Sequence, residues 1–235
     1  MTQTFLTPIY QQKNKAGQKY AAEQGAAQIL GLDLSHKMIE EAKKRNTETR
    51  IRYRVCAIEN YEYPKNTWDC VISNLALHYI ESLEEIFQKV RRTLKPNGIF
   101  LLNIEHPIFT AGVGQDWIYT ESGAPQYWPI DNYFTPGERT THFLGCPVTK
   151  QHHTLTQILM GLLSNGFELN VIEEAKPPRE MMTLPARRAY PCAFPALLIY
   201  LILPLSLRKL PALLRKFLQK YRQSLLLLRQ HIRAA

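Results

Sequence analysis

The chain has 235 residues, which is enough for one α/β domain with a sizeable core. Its formal net charge is +9, yet residues 1–184 carry 19 basic and 20 acidic residues, whereas residues 185–235 carry 10 basic residues and no acid. Since a nucleic-acid-binding enzyme usually spreads basic residues over its folded face, this distribution argues against a nucleic-acid partner.

Hydrophobic periodicity predicts helices and strands in alternation along the first half of the chain. Residues 18–26 are typical of a helix end that Gly25 stops. The segment ILGLD, which ends at Asp33, is predicted to be a short buried strand, and Ser35 is a suitable N-cap for a helix through Arg45. Further strands are predicted at IRYRVC (51–56) and WDCVISN (68–74).

The second half of the chain continues the same alternation. Ser82 opens a predicted helix with a capping box, and Pro96-Asn97-Gly98 is a predicted turn before the apolar strand IFLLNI (99–104). Thr154 caps a helix that ends at Asn165-Gly166, and FELNVIE (167–173) alternates like a partly exposed strand. The helix that Ser82 opens has one apolar face, formed by Leu83, Ile86, Phe87, Val90 and Leu94. Strands alternating with helices predict an α/β fold with a doubly wound parallel sheet.

A long segment within the second half is rich in aromatic residues and prolines. It covers residues 107–153 and joins the strand IFLLNI to the helix at Thr154. A connection of this length inside a compact domain is usually functional, so we expect a lid or a binding loop here.

Four blocks of sequence, in a fixed order, resemble a known family. They are GLDLSHKMIEEAKK, CAIENYEYP, WDCVISNLALHYI and LKPNGIFLLNIEHP, and they lie within residues 18–184. Together they resemble the class I S-adenosylmethionine-dependent methyltransferases, in particular the small-molecule, ubiquinone-biosynthesis-like branch. The resemblance implies a Rossmann-like doubly wound sheet, S-adenosyl-L-methionine as cofactor, and an enzyme that transfers a methyl group to a small molecule.

The resemblance also assigns residues to the cofactor. Asp33 would accept hydrogen bonds from both ribose hydroxyls, since a carboxylate offers two acceptor oxygens and no donor. The other residues implied for the cofactor are Met38, Ala57, Ile58, Glu59, Asn74 and Leu75. Structural alternatives remain open: Asp33 as an ordinary strand-end acid, Met38 as core filler, Glu59 as a solvated surface acid, and Asn74 as the cap of the following turn.

The acceptor side is predicted from the end of the strand IFLLNI and from the aromatic segment. His106 is a candidate catalytic base, because the pKa of an imidazole lies near the useful range. Candidate substrate residues are His78, Tyr119, Tyr127, Trp128, Tyr133, His152 and His153. The alternatives are a buried structural role for His78 and a packed cover over the sheet edge for the aromatic residues. No metal site is predicted, since no carboxylate or cysteine stands at a ligand spacing from the histidine pair.

Two features depart from the family pattern. The family has a first strand and a glycine-rich turn ahead of the helix, whereas here KNKAG runs directly into QKYAAEQGA. We therefore expect an incomplete sheet that lacks the central first strand and the final hairpin strand. The expected organisation is an N-terminal leader (1–17), a methyltransferase-like domain (18–184) with the aromatic segment as insertion, and a basic Leu- and Pro-rich tail (185–235).

The tail allows two interpretations. Residues 190–207 carry no charge and lie at the lower length limit for spanning a bilayer, and residues 207–233 could form a basic amphipathic helix on an anionic membrane. The tail could also be an ending without a selected role. The alternative function is accordingly a non-catalytic methyltransferase-like protein that contacts a membrane weakly through residues 185–235.

Cysteine usage and the N-terminal composition predict the compartment. The four cysteines are scattered without a CxxC pair, which is typical of a reducing environment. The first 15 residues contain no apolar run after a basic start, so no secretory signal is predicted. Both features predict a cytoplasmic protein.

Overall fold

The computed structural model describes residues 3–8, 16–23, 25–114, 118–143, 146–174 and 196–202. The strands are β1 (Gln3–Pro8), β2 (Ala26–Asp33), β3 (Ile51–Val55), β4 (Trp68–Asn74), β5 (Leu94–Glu105), β6 (Ile118–Tyr119), β7 (Pro125–Tyr127), β8 (Gly137–Phe143), β9 (Cys146–His152), β10 (Glu168–Glu174) and β11 (Ala196–Ile202). The helices are α1 (Ala16–Glu23), α2 (His36–Arg45), α3 (Leu83–Thr93), α4 (Pro107–Ala111) and α5 (Leu155–Ser164), and two 3₁₀ turns cover Ile58–Asn60 and Leu77–Tyr79.

Seven of the strands form one mixed sheet in the order β10-β11-β5-β4-β1-β2-β3. Neighbours from β5 to β3 run parallel, whereas β11 is antiparallel to both β5 and β10. The carboxyl ends of β2, β3, β4 and β5 therefore lie along one edge of the sheet. The predicted α/β class with a doubly wound sheet is confirmed.

The centre of the sheet corrects the prediction of a missing first strand. Gln3–Pro8, which was assigned to the leader, forms β1 and pairs in parallel with both β2 and β4. An empty position there would leave rows of backbone N–H and C=O groups on both neighbours without partners. The sequence signal was weak, because this strand contains only two adjacent strongly apolar residues, Phe5 and Leu6, and no glycine follows before residue 16.

The final hairpin is a second correction. Ala196–Ile202, which was assigned to the tail, forms β11 between β10 and β5. A continuous apolar run of this length, bounded by Pro195 and Pro204 in the sequence, is typical of a strand buried between two neighbours. From the sequence alone, the uncharged stretch 190–207 lies at the lower length limit for spanning a bilayer. In the part of the chain that the structure describes, no helix is long and apolar enough to cross a membrane.

Most predicted helix boundaries are confirmed by their caps. The hydroxyl oxygen of Ser35 accepts from the Met38 N–H at 3.3 Å, and that of Ser82 accepts from the Glu85 N–H at 3.4 Å. Thr154 and Gln157 form a reciprocal capping box at the start of α5. Gly25, the second residue after the end of α1, adopts φ +87°, a conformation that favours glycine.

The predicted turn at Pro96-Asn97-Gly98 lies inside β5. The pairing of β4 with β5 shifts register between Trp68↔Leu94 and Cys70↔Ile99, and Asn97 adopts φ +63°. The turn residues thus make a bulge near the start of the strand.

The hydrophobic core lies where α3 and α5 pack on the sheet. All five apolar positions predicted for this helix are buried, four in α3 and the last at the first residue of β5: Leu83, Ile86, Phe87, Val90 and Leu94. The Phe100 ring of β5 lies 6.3 Å from the Phe87 ring and 5.6 Å from the Phe167 ring, centroid to centroid. This core packs against β4 and β5, whose carboxyl ends carry Asn74 and Glu105.

Candidate cofactor and acceptor site

A cleft of about 640 Å³ opens at the carboxyl ends of β2, β3 and β4. Its lining comes from the end of β2, the turn after β3, the turn after β4, and Val148 of β9. The lining residues are Leu32, Asp33, Leu34, Ser35, Cys56, Ala57, Ile58, Glu59, Ala76, Tyr79, Ile80 and Val148. Open parallel sheets bind ligands at this edge, which makes the cleft the candidate functional site.

Asp33 is the last residue of β2 and lies in this cleft. Its Oδ1 accepts from the Ser35 N–H at 2.8 Å, and no group among the described residues donates to its Oδ2. Partial burial raises the pKa of this carboxyl, and the Ser35 N–H opposes the rise. A half-buried carboxylate with one open oxygen can accept hydrogen bonds from ligand hydroxyls.

The turn after β3 supplies the opposite wall. Ala57, Ile58 and Glu59 all line the cleft, where the sequence placed them against the cofactor. Met38 does not line the cleft. The residue is half-buried on α2, and its backbone N–H donates to the hydroxyl oxygen of Ser35. The structure therefore brings four of the predicted cofactor residues to the cleft, and Met38 is not among its lining residues.

The end of β4 is held by Asn103 of β5. The Asn103 side-chain amide donates to Asn74 Oδ1 at 2.9 Å, and the Leu75 N–H donates to the Asn103 carbonyl at 2.7 Å. Leu75 adopts φ +50°, a strained conformation for a residue with a side chain. Neither Asn74 nor Leu75 lines the cleft; their backbone turns the chain so that Ala76 does.

His106 caps α4 and does not line the cleft. Its Nδ1 accepts from the Ile108 N–H at 3.1 Å, so the Nε2 carries the proton and faces Glu174 Oε1 at 2.7 Å. The ring is 5% exposed. Because both nitrogens are engaged, the geometry supports a structural link between α4 and β10 rather than the predicted catalytic base.

The predicted aromatic acceptor residues lie in two environments. Tyr119 and Tyr127 belong to the β6–β7 hairpin and are 45% and 54% exposed. Trp128 stacks on Phe109 with ring centroids 4.9 Å apart, and the Tyr133 hydroxyl accepts from the Leu155 N–H at 3.1 Å. None of the four lines the cleft. Trp128 and Tyr133 correspond to the alternative of a packed cover.

The two adjacent histidines connect the insertion to the sheet edge. His152 donates from Nε2 to the Tyr133 carbonyl at 2.9 Å and accepts at Nδ1 from the Thr110 hydroxyl at 2.8 Å. His153 donates from Nε2 to the carbonyl of Ile80, a cleft residue, at 2.8 Å. Burial lowers the pKa of both rings. Within the described ranges, no group of three His, Cys, Asp or Glu side chains could hold a metal ion.

Two buried charged residues at this end were not predicted as site residues. Lys150 of β9 donates to both oxygens of Glu105, the last residue of β5, at 2.9 Å each. His78 Nε2 lies 3.6 Å from Glu105 Oε1. Glu105 was visible in the sequence next to His106, but nothing in the polar segment around Lys150 indicated that its ammonium is buried.

Comparison with known proteins decides the family. A model described as a methyltransferase domain matches residues 14–102. A Listeria monocytogenes crystal structure, described as an S-adenosylmethionine-dependent methyltransferase, is 38% identical to this chain. The match covers 87% of this chain and 91% of the Listeria chain, and the two superpose with a TM-score of 0.76. The chain belongs to the S-adenosylmethionine-dependent methyltransferases.

Two further methyltransferases extend the comparison. The Mesorhizobium loti S-adenosylmethionine-dependent methyltransferase structure is 31% identical, with 85% of this chain and 90% of that chain covered and a TM-score of 0.72. The Legionella pneumophila malonyl-[acyl-carrier protein] O-methyltransferase is 27% identical over 143 residues, which are 60% of this chain and 47% of that protein. The chain spans 63% and 47% of the length of two curated relatives that it matches.

The cleft of this methyltransferase-family chain fits the adenosine half of the cofactor. Asp33 offers an open carboxylate oxygen, and Leu32 and Ile58 supply apolar surface for an adenine ring. The segment that would meet the methionine half, residues 9–15 between β1 and α1, lies outside the described residues. Its sequence, IYQQKNK, contains no glycine.

Proposed function

We propose that this chain transfers the methyl group of S-adenosyl-L-methionine to a small-molecule acceptor. The observation that carries the proposal is the position of Asp33, at the tip of β2 inside the cleft and with one oxygen open. Two relatives support the acceptor class by their names: the malonyl-[acyl-carrier protein] O-methyltransferase, and a Desulfotalea psychrophila ubiquinone/menaquinone biosynthesis C-methyltransferase that is 35% identical over 72 residues.

In this proposal the residues of the cleft bind the cofactor and orient it. Asp33 holds the two ribose hydroxyls, Leu32 and Ile58 flank the adenine, and Glu59 accepts from its amino group. The bound cofactor supplies a methyl group already activated on a sulfonium. The protein contributes mainly alignment of the acceptor and exclusion of water, so a strong general base is not required.

We further propose that cofactor affinity is reduced in this chain. A glycine-rich turn after β1 would let backbone N–H groups approach the cofactor's carboxylate. The segment IYQQKNK offers side chains where the family pattern has glycine. The loss of one or two such hydrogen bonds costs about 1–3 kcal/mol, or about one to two powers of ten in affinity.

Isothermal titration with S-adenosylhomocysteine tests both proposals. We expect weak, saturable binding by the natural chain and about tenfold tighter binding by the Gln11→Gly/Lys13→Gly variant, since added glycines let the backbone approach the ligand. Lys65→Gly, at an exposed position, is the control and should not change the dissociation constant. Absence of heat at millimolar ligand for every variant would refute the function.

The alternative function, a non-catalytic protein on a membrane, rests on the tail, whose 51 residues include 10 basic and no acidic residues. Each basic residue near an anionic bilayer contributes about 1 kcal/mol. If this alternative holds, the full chain floats with vesicles containing phosphatidylserine but not with pure phosphatidylcholine vesicles. The variant R208Q/K209Q/R215Q/K216Q should then stay at the bottom of the gradient. Equal flotation of the natural chain and the variant would eliminate this alternative function.

A further inference from the structure

Buried polar groups are concentrated at the acceptor end of the molecule. Of the 12 buried polar or charged residues in the described part of the chain, five lie in the insertion 107–153, and His78, Asn103 and His106 lie at the ends of β4 and β5. Burying polar groups costs free energy unless they are paired, so such a concentration calls for an explanation. Among the described residues, three of these side chains hold an atom without a hydrogen-bond partner: Ser73 Oγ, His78 Nδ1 and Asn103 Oδ1.

Of these three residues, His78 lies in the 3₁₀ turn after β4, next to Tyr79, which lines the cleft. The side chain is 2% exposed, and its Nδ1 has no hydrogen-bond partner among the described residues. Leaving a buried polar atom unpaired costs about 1–3 kcal/mol. An unpaired nitrogen of this kind next to a ligand cleft can accept a hydrogen bond from a ligand.

The groups around His78 Nε2 determine which kind of group can bind at Nδ1, on the other side of the ring. Glu105 Oε1 lies 3.6 Å from His78 Nε2, and the Lys150 ammonium contacts both carboxylate oxygens. The ammonium favours the ionised carboxylate, which can only accept hydrogen bonds. It therefore favours the tautomer with the proton on Nε2, and leaves Nδ1 with an open lone pair.

The environment keeps this ring neutral. Burial, reinforced by the positive charge of Lys150, lowers the pKa of His78 to about 3. At neutral pH the Nδ1 lone pair is consequently unprotonated and can only accept a hydrogen bond.

This cluster lies against the wall of the cofactor cleft. Ala76, Tyr79 and Ile80, the neighbours of His78 in the chain, line the cleft, and so does Val148, two residues before Lys150 on the same face of β9. His78 therefore belongs to the same 3₁₀ turn as a cleft residue, Tyr79.

We propose that His78 Nδ1 accepts a hydrogen bond from the nucleophilic O–H or N–H of the methyl acceptor, with Glu105 and Lys150 as positioning residues. The inference rests on the proposed methyltransferase function and narrows its substrate to acceptors with a proton-bearing oxygen or nitrogen. A nucleophile without a proton, such as a thioether or a tertiary amine, would leave Nδ1 unsatisfied.

Long-range ¹H–¹⁵N NMR of the full chain, labelled at histidine, tests the inference. The ¹⁵N shifts of an imidazole distinguish its two tautomers, and the exposed His36 serves as the internal reference for an unconstrained ring. We expect His78 to carry its proton on Nε2. In the double variant Glu105→Gln/Lys150→Met both shifts should move toward those of His36.

A proton on Nδ1 in the natural chain overturns the inference, and so does an unchanged tautomer in the double variant. If the double variant does not fold, the spectrum of the natural chain still decides. Titration of S-adenosylhomocysteine into the same sample separates the two proposals: absence of binding refutes the function, whereas the wrong tautomer with normal binding refutes only the role of His78.

Discussion

Replacing Lys150 with Met is expected to lower the free energy of unfolding by about 3–5 kcal/mol, because it leaves the Glu105 carboxylate buried without its cation. The Glu105 and Lys150 side chains are 12% and 3% exposed, and the ammonium contacts both carboxylate oxygens at 2.9 Å. Urea unfolding followed by circular dichroism measures the difference. The loss should be larger than for any exposed ion pair of the molecule.

The same variant should show a characteristic pH dependence. Burial raises the pKa of Glu105, while Lys150 opposes the rise. A carboxyl whose pKa is raised in the folded state binds protons more readily than in the unfolded chain, so its contribution to stability falls as the pH rises through that window. Without Lys150 the pKa should rise further, and the destabilisation should therefore be smaller at pH 5 than at pH 8.

Lys95→Met is the matched control for this experiment. Lys95 donates to Asp69 at 2.8 Å, but both side chains are about one third exposed, at 36% and 32%. Exposed pairs contribute about 0–1 kcal/mol, so the control should change stability little. The double variant E105Q/K150M should recover part of the loss, since it removes the buried charge as well. Equal effects of Lys150→Met and Lys95→Met would contradict the assigned burial.

Asp33→Asn is expected to weaken S-adenosylhomocysteine binding by about one to two powers of ten. The amide keeps the shape of the side chain but removes the charge and one acceptor oxygen, and hydrogen bonds to charged groups contribute about 1.5–3 kcal/mol each. Isothermal titration of both proteins under identical conditions measures the effect. Folding should be preserved, since burial already raises the pKa of Asp33 and the neutral amide carries no charge to desolvate.

Asp69→Asn provides the corresponding control. Asp69 lies in the same sheet, on β4, but pairs with Lys95 and does not line the cleft. Its substitution should leave the dissociation constant unchanged. If both variants lose the same affinity, the effect is a general loss of stability rather than a lost ribose contact.

The sequence predicted the strands and helices whose local signals agree. β2, α2, β4 and α3 each combine an apolar period with a cap or a turn residue, and Asp33 follows from its place at the end of β2. β1 and β11 were missed because their identity depends on the neighbours they pair with. β1 has six residues, of which only two are strongly apolar, and β11 is an apolar run that also resembles a membrane segment. Both can be identified as strands only from the positions in the sheet that they fill.

The acceptor side was harder to predict for a related reason. Lys150 and His78 are defined by burial and by what lies opposite them, and Glu105, the residue that joins them, is 45 positions from one and 27 from the other along the chain. His106 had a stronger sequence signal, next to a strand end, yet both of its nitrogens are engaged by Ile108 and Glu174. Residue type and spacing therefore located this region but not the partners within it.

Binding of a cofactor analogue without the ribose 2′-hydroxyl tests most directly whether Asp33 holds the ribose. The natural chain should bind S-adenosylhomocysteine about tenfold more tightly than the 2′-deoxy analogue, because the analogue offers the Asp33 carboxylate one hydrogen bond fewer. The Asp33→Asn variant should discriminate much less between the two ligands. Equal affinity of the natural chain for both, or undiminished discrimination by the variant, would contradict the account.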